Sequence, residues 1–203
     1  AASDGILPRF HKSIKRDEYE IEQADFQLTK VDGQENHMMY VLGDMHLAGR
    51  NDDLKQFDVF AADLNSQLSA NSGRRQYALT LGDMTWEIYW SQFSFSNYVR
   101  EMNAKFSDLQ VFHTIGNHDH DVNAEGDFNT VLEYFSYIGP NYYSFNIGSV
   151  HYVVLDDILC KNSGAGTAES RDYATAVDAD QIAWLKKDLA YVDPGMTVVV
   201  ASH

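Results

Sequence analysis

Three runs of apolar and β-branched residues, 38–42, 77–81 and 109–115, each lead into a polar segment headed by glycine. The segments are Gly43-Asp44-Met45-His46, Gly82-Asp83 and Gly116-Asn117-His118-Asp119. Runs of this length and composition read as buried strands. Between them, Leu54, Phe57, Phe60, Ala61, Leu64 and Leu68 recur at helical spacing behind the cap candidates Asn51, Asp52 and Asp53. Phe95, Tyr98, Val99, Met102 and Phe106 mark a second helix, and Phe128, Val131, Leu132 and Phe135 a third, closed by Gly139-Pro140. Residues 142–147 and 150–155 read as a hairpin about Gly148-Ser149. Asp178 with Gln181 resembles a capping box that opens a helix through Ile182, Leu185 and Leu189. A last strand over 197–200 precedes His203, and residues 160–177 read as a long loop, functional or mobile.

Strands alternating with helices imply βαβ units and a largely parallel sheet. Ligands of such sheets sit beyond the carboxyl ends of the strands, where Asp44, Asp83, Asn117 and His203 all fall. Residues 1–35 differ, being rich in charge without a long period; they read as an extended arm or the remnant of a preceding small domain, ahead of an α/β domain over 36–203.

The net charge of -15, from 30 acidic and 15 basic residues, sets limits on partners. Such a field repels phosphate and nucleic acid, and no nucleic-acid-binding surface is evident. Phosphate chemistry here needs bound cations for local positive charge. No apolar stretch approaches the ~20 residues of a membrane span, and no signal peptide is visible at the start. Cys160 is the single cysteine, has no visible partner and shows no sign of being a nucleophile.

The three glycine-headed segments supply hard oxygen and imidazole donors, a set suited to a pair of divalent metals. Asp44 and His46 lie two apart, so on a strand both would point to one face. Each segment alone reads as a polar turn; together, in this order and each after a strand, they read as a metal site. Mixed oxygen and nitrogen ligands suit Mn, Fe or Zn better than Ca.

Over residues 38–203 the chain resembles the calcineurin-like metallophosphoesterase superfamily. Val200-Ala201-Ser202-His203 fits its later pattern, and the segments from Tyr142 to Gly148 and from Ala183 to Leu189 look like stretches common in bacterial members. The resemblance implies a layered α/β/β/α sandwich and two divalent metal ions. It implies that Asp44 and His46 bind the first ion, that Asp83 bridges both, and that Asn117 and His203 bind the second. His118, with Asn117, would contact the phosphate; His118 would give a proton to the leaving oxygen, and Asp119 would orient His118. The implied reaction is hydrolysis of a small-molecule phosphate ester, phosphodiester or phosphomonoester, by a metal-bridging hydroxide. A lean toward a bacterial periplasmic or secreted protein follows from relatives with an extra N-terminal domain. The superfamily closes its site with Gly-His-x-His, which this sequence lacks, so the chain reads as a catalytic domain incomplete at its C-terminus.

Purple acid phosphatases carry Gly where His46 stands and a metal-bound Tyr three residues after the bridging Asp. Trp86 occupies that position here, and indole cannot ligate as phenolate does. Trp86, Tyr89 and Trp90 offer flat surfaces for substrate stacking, with packing against a helix as the alternative. Arg50 is placed to pair with a phosphate oxygen, or else forms a surface salt bridge. His120 either touches substrate or sits in a surface loop. His113 reads as a core residue, and Asp156 and Asp157 as turn residues. The alternative function is a non-catalytic scaffold of the same fold that binds protein, although every ligand expected up to His203 is present. The oligomeric state is left open.

Overall fold

In the computed structural model the strand–helix alternation becomes two three-stranded sheets packed face to face between helices. The structure describes residues 3–14, 23–27, 29–50, 52–86, 93–106 and 108–203. The cap candidate Asn51 and the aromatics Tyr89 and Trp90 lie outside the described residues. A short hairpin, β1 (Ser3–Asp4) and β2 (Leu7–Pro8), comes first. Ile6 at its turn is fully buried; its N–H donates to Asn103 Oδ1 (2.7 Å) and its carbonyl accepts from Val111 N–H (2.8 Å).

Two βαβ units follow: β3 (His37–Leu42), α1 (Asp53–Ala70), β4 (Arg75–Thr80), α2 (Phe95–Lys105) and β5 (Gln110–Phe112). All three strands are parallel in the order β3-β4-β5, which leaves β4 in the middle. The pleat sorts the β4 side chains. Ala78 packs with Phe57 and Leu64 of α1 and with Tyr98 and Met102 of α2, while Tyr77 and Leu79 join a second core. Burial on both faces is why residues 77–80 of β4 read as a continuous apolar run. A capping box that sequence reading passed over opens α2: Ser94 Oγ accepts from Asn97 N–H, and Asn97 Oδ1 from Ser94 N–H.

The third expected helix is two short ones, α3 (Asp127–Thr130) and α4 (Leu132–Tyr137). They part where the Thr130 carbonyl accepts from Asp121 N–H (2.9 Å) and the Thr130 hydroxyl bonds back to the Asp127 carbonyl (2.6 Å). The hairpin β6 (Tyr143–Ile147) and β7 (Val150–Val154) forms as expected. β8 (Ile158–Cys160) and β9 (Tyr173–Thr175) then pair antiparallel, so the expected loop is itself a hairpin around a shorter loop. Three-residue strands carry too little periodicity to stand out in sequence.

α5 (Ala179–Leu189) is capped by Asp178, whose carboxylate accepts from the N–H groups of Asp180 and Gln181. Gln181 donates to the Asp178 carboxylate and to the Asp156 carbonyl, so its side chain ties the helix start to the end of β7. β10 (Thr197–Ala201) pairs parallel with β7, giving the order β10-β7-β6. This sheet lays Tyr143, Tyr152 and Val154 against Tyr77, Leu79 and Phe112. The rings of Phe112 and Phe145 stack between the sheets. On the outer face Asp188 of α5 takes His151 Nε2 (2.8 Å) and Ser144 Oγ (2.6 Å). The layers are α/β/β/α.

β5 stops at Phe112, short of the expected strand end, because side chains replace the ladder beyond it. Thr114 N–H donates to Thr80 Oγ1 (3.1 Å), and His113 N–H to Tyr143 Oη (2.9 Å). The buried His113 ring meets Tyr98 Oη (3.0 Å), and burial holds its pKa down to about 3. The folded chain thus refuses a proton that the unfolded chain accepts below its ordinary value of 6.5. Stability should fall from pH 6.5 toward pH 3 by roughly 1.4 kcal/mol per unit from this ring. Urea unfolding across that range is expected to show a pH slope smaller by about one proton in His113→Gln; equal slopes would contradict it.

Candidate metal centre

The loops after β3, β4 and β5 and His203, two residues after β10, converge at one end of the two sheets. Asp44 (φ 46°), His46 (φ 47°) and Asp83 (φ 49°) all adopt left-handed backbone, which is uncommon for residues with a Cβ. Asp44 and His46 therefore lie on a looped turn beyond β3, not on the strand from which their shared direction was expected. Main-chain bonds hold that turn: His46 N–H donates to the Asp83 carbonyl (2.9 Å), and Leu47 N–H to the Met84 carbonyl (3.0 Å). Backbone strain of this kind collects at functional sites.

Asp83 is the hub. Its side chain is buried, and Oδ2 lies 2.9 Å from His46 Nε2, 3.5 Å from His203 Nε2 and 3.9 Å from His118 Nε2. Oδ1 accepts the main-chain N–H of His118 (2.9 Å). Two ligand groups emerge among the described residues, His46–Asp83–His118 and Asp44–Asp83–His203, each with donor atoms within 4.8 Å of one another. Asp83 is common to both. Asp44 Oδ1 also lies 3.8 Å from His46 Nε2, so the structure brings that expected pair together, and His118 Nε2 faces the same carboxylate of Asp83. His203 Nε2 also meets Asn117 Oδ1 (3.0 Å), while its Nδ1 meets the Leu81 carbonyl (2.7 Å). An Nδ1–H donated to that carbonyl leaves the Nε2 lone pair available to a cation. The donor set fits divalent cations.

Asp119, fully buried, lies beneath this hub. Its carboxylate accepts from the main-chain N–H groups of Met84 (3.3 Å), Thr85 (3.3 Å) and Gly116 (3.0 Å) and from Thr85 Oγ1 (3.4 Å). Asp119 therefore orients two motif loops through their backbones. Burial, and then the Asp83 charge, push its pKa up to about 6 against these hydrogen bonds.

His120 is buried and does not line the opening. Its Nδ1–H donates to the Gly116 carbonyl (3.0 Å), and Nε2 faces Asp156 Oδ2 at 3.5 Å. Burial opposes a charge on this ring, but Asp156 and Cys160 beside it outweigh burial and raise its pKa. Arg50 bonds to Asp53 (2.7 Å) and sits 4.8 Å from the Trp86 ring centroid. Asp44 and His46 also line a cleft of about 490 Å³ with Arg50, Gln56, Phe57 and Phe60.

Sequence reading missed three supports. Asp157 Oδ1 accepts the His203 N–H (3.0 Å), so the supposed turn residue steadies His203. Asp156 anchors His120, Asn141 and the start of α5. Arg171, on the loop between β8 and β9, donates to the Asn117 carbonyl. No local pattern marked Arg171, which shares its loop with a second cation, Lys161.

A family model, calcineurin-like phosphoesterase, matches residues 38–203. The chain belongs to that family. A solved structure, purple acid phosphatase PPD1 from yellow lupin (Lupinus luteus) seeds, has the same fold at 16% identity and a TM-score of 0.51. That match covers 81% of this chain and 30% of the lupin chain. No curated protein matches.

Close approach makes two glycines necessary. A Cβ on Gly116 would lie 2.3 Å from Asp83 N and Oδ1, and one on Gly82 would lie 2.7 Å from His203 Nδ1. Gly82 also has φ +89°. Gly116→Ala is expected to cost about 1–3 kcal/mol in urea unfolding and to lower metal content measured by plasma mass spectrometry. Unchanged metal content would argue that Asp83 does not hold the ions.

Proposed function

We propose that the protein hydrolyses a phosphate ester at a dinuclear metal centre built on Asp83. The observation that carries this reading is the one buried carboxylate shared by two groups of ligand atoms. Family membership supports metal-dependent phosphoester hydrolysis at the level of the family. Bound cations would supply the positive charge that a chain of net charge -15 lacks, and would lower the pKa of water.

The chain's own residues have distinct tasks in this reading. Asp83 would hold both ions, with His46 and Asp44 on one side and His203 with Asn117 on the other. His118 faces the same point through Nε2 and donates a proton to the leaving oxygen. Asp119 keeps the loops after β4 and β5 at a fixed separation by gripping the N–H groups of Met84, Thr85 and Gly116. Asp157 and the Leu81 carbonyl fix the His203 ring so that Nε2 points inward. Loss of ligands would favour a scaffold, and the ligand set up to His203 is intact.

The test uses the full-length protein with Mn, comparing bis(p-nitrophenyl) phosphate with p-nitrophenyl phosphate. Turnover lost in Asn117→Ala supports the reading, and the preferred ester assigns the subclass. Asp83→Asn is expected to lose both ions. His118→Ala should keep its metals and slow turnover of a poor leaving group by roughly 10²–10⁴-fold. Undiminished turnover in His118→Ala would remove the proton-donor role.

Trp86 stands three residues after Asp83, beside His46 and His118, and indole has no phenolate oxygen for iron(III). The metal-loaded full-length protein is expected to show no visible charge-transfer band. An absorption spectrum with such a band would overturn this.

A further inference from the structure

The Trp86 indole lies against both imidazoles that flank Asp83. It stacks on His118 with centroids 4.5 Å apart and planes 22° apart, and it tilts 58° against His46 at 5.0 Å. Trp86 is also set by main chain, because its N–H donates to the Leu47 carbonyl (2.9 Å). That bond continues the parallel bridge between Leu47 and Thr85, which ties the loop of His46 to the loop of Asp83. On its side-chain end, the Arg50 guanidinium lies 4.8 Å from the ring centroid and is itself pinned to Asp53 at the start of α1. The indole is thus fixed from both ends, and His118 rests on it.

We propose that Trp86 is a positioning residue for His118: the indole face holds the imidazole where its Nε2 can reach the leaving oxygen. This rests on the reading of His118 as proton donor. An imidazole turns about its Cβ–Cγ bond, and such a turn would swing Nε2 off its line toward Asp83, now 3.9 Å away. A stacked aromatic contact is worth about 0.5–1.5 kcal/mol, enough to favour one ring orientation severalfold. A misplacement of about 1 Å in a reacting group costs on the order of 10²-fold in rate. The ring that sequence reading offered as a stacking surface for substrate is engaged with the proton donor.

In the reaction, water oxygen forms the new bond to phosphorus as the bond to the leaving oxygen breaks. The electron pair of the broken bond goes to the leaving oxygen, which takes the proton from His118. The proton lost by the attacking water restores His118 over the cycle. A weakly basic aryloxide can depart without that proton, whereas an alkoxide cannot. Trp86 should therefore matter most where the leaving group is poor.

The experiment compares Trp86→Leu and Trp86→Phe with wild type in the full-length protein, using an alkyl and a p-nitrophenyl ester of the preferred type. Trp86→Leu is expected to lose roughly two- to tenfold more kcat/KM on the alkyl ester than on the aryl ester, and Trp86→Phe to recover most of that difference. A second readout needs no turnover. The His118 ring C–H resonances, assigned by their loss in His118→Ala, should lie upfield from the indole ring current and move downfield in Trp86→Leu. Equal losses on both esters, or unmoved His118 resonances, overturn the proposal. Wild type inactive on both esters overturns the hydrolytic reading and this proposal with it, and that result appears before any variant is made.

Discussion

The arrangement at this end of the molecule depends on one buried carboxylate, that of Asp83. Four separate segments come to it: the turn after β3 through His46 and Asp44, its own turn after β4, the loop after β5 through His118, and the end of β10 through His203. β4 can serve all of them because it is the middle strand of its sheet. Its carboxyl end is flanked by the two neighbouring loops, and the facing sheet delivers β10 beside them. Two close glycines, Gly82 and Gly116, let the backbones approach near enough for one side chain to be shared.

That sharing has an electrostatic consequence. Asp119 sits below Asp83 in a dry position, and burial together with the neighbouring charge pushes its pKa up. The remedy within the chain is a set of main-chain N–H groups, which satisfy Asp119 without neutralising the cluster. The unbalanced negative charge of Asp44, Asp83 and Asp119 is a site shaped for cations, in a chain already rich in acid. The lupin neighbour has the same fold at low identity, so the likeness concerns architecture. Substrate choice belongs to loops that differ among proteins sharing one fold.

Around the hub lies a layer of residues that hold the candidate ligands in place. Asp157 and the Leu81 carbonyl steady His203, Arg171 reaches the Asn117 carbonyl, and His120 spans Gly116 and Asp156. Trp86 belongs to this layer too, between Arg50 and the two imidazoles. Such outer contacts decide ring orientation, which metal binding and proton transfer both require.

The alternation from β3 to β5, the β6–β7 hairpin, the apolar faces of α1 and α2 and the glycine-headed motifs were legible in the sequence. These are local patterns of period and residue type, carried within a few positions of one another. The sequence also indicated that the motifs would meet, because parallel strands present their carboxyl ends together. The rest came only with the packed chain: the sharing of Asp83 among separate loops, the hydrogen bonding of Asp119 to backbone, the burial of His120 and the hairpin of β8 with β9. Those outcomes depend on contacts such as Leu81 with His203, 122 positions apart, and Asn117 with Arg171, 54 apart. A local pattern cannot encode them, because a buried polar group takes whichever partner folding brings within hydrogen-bond reach.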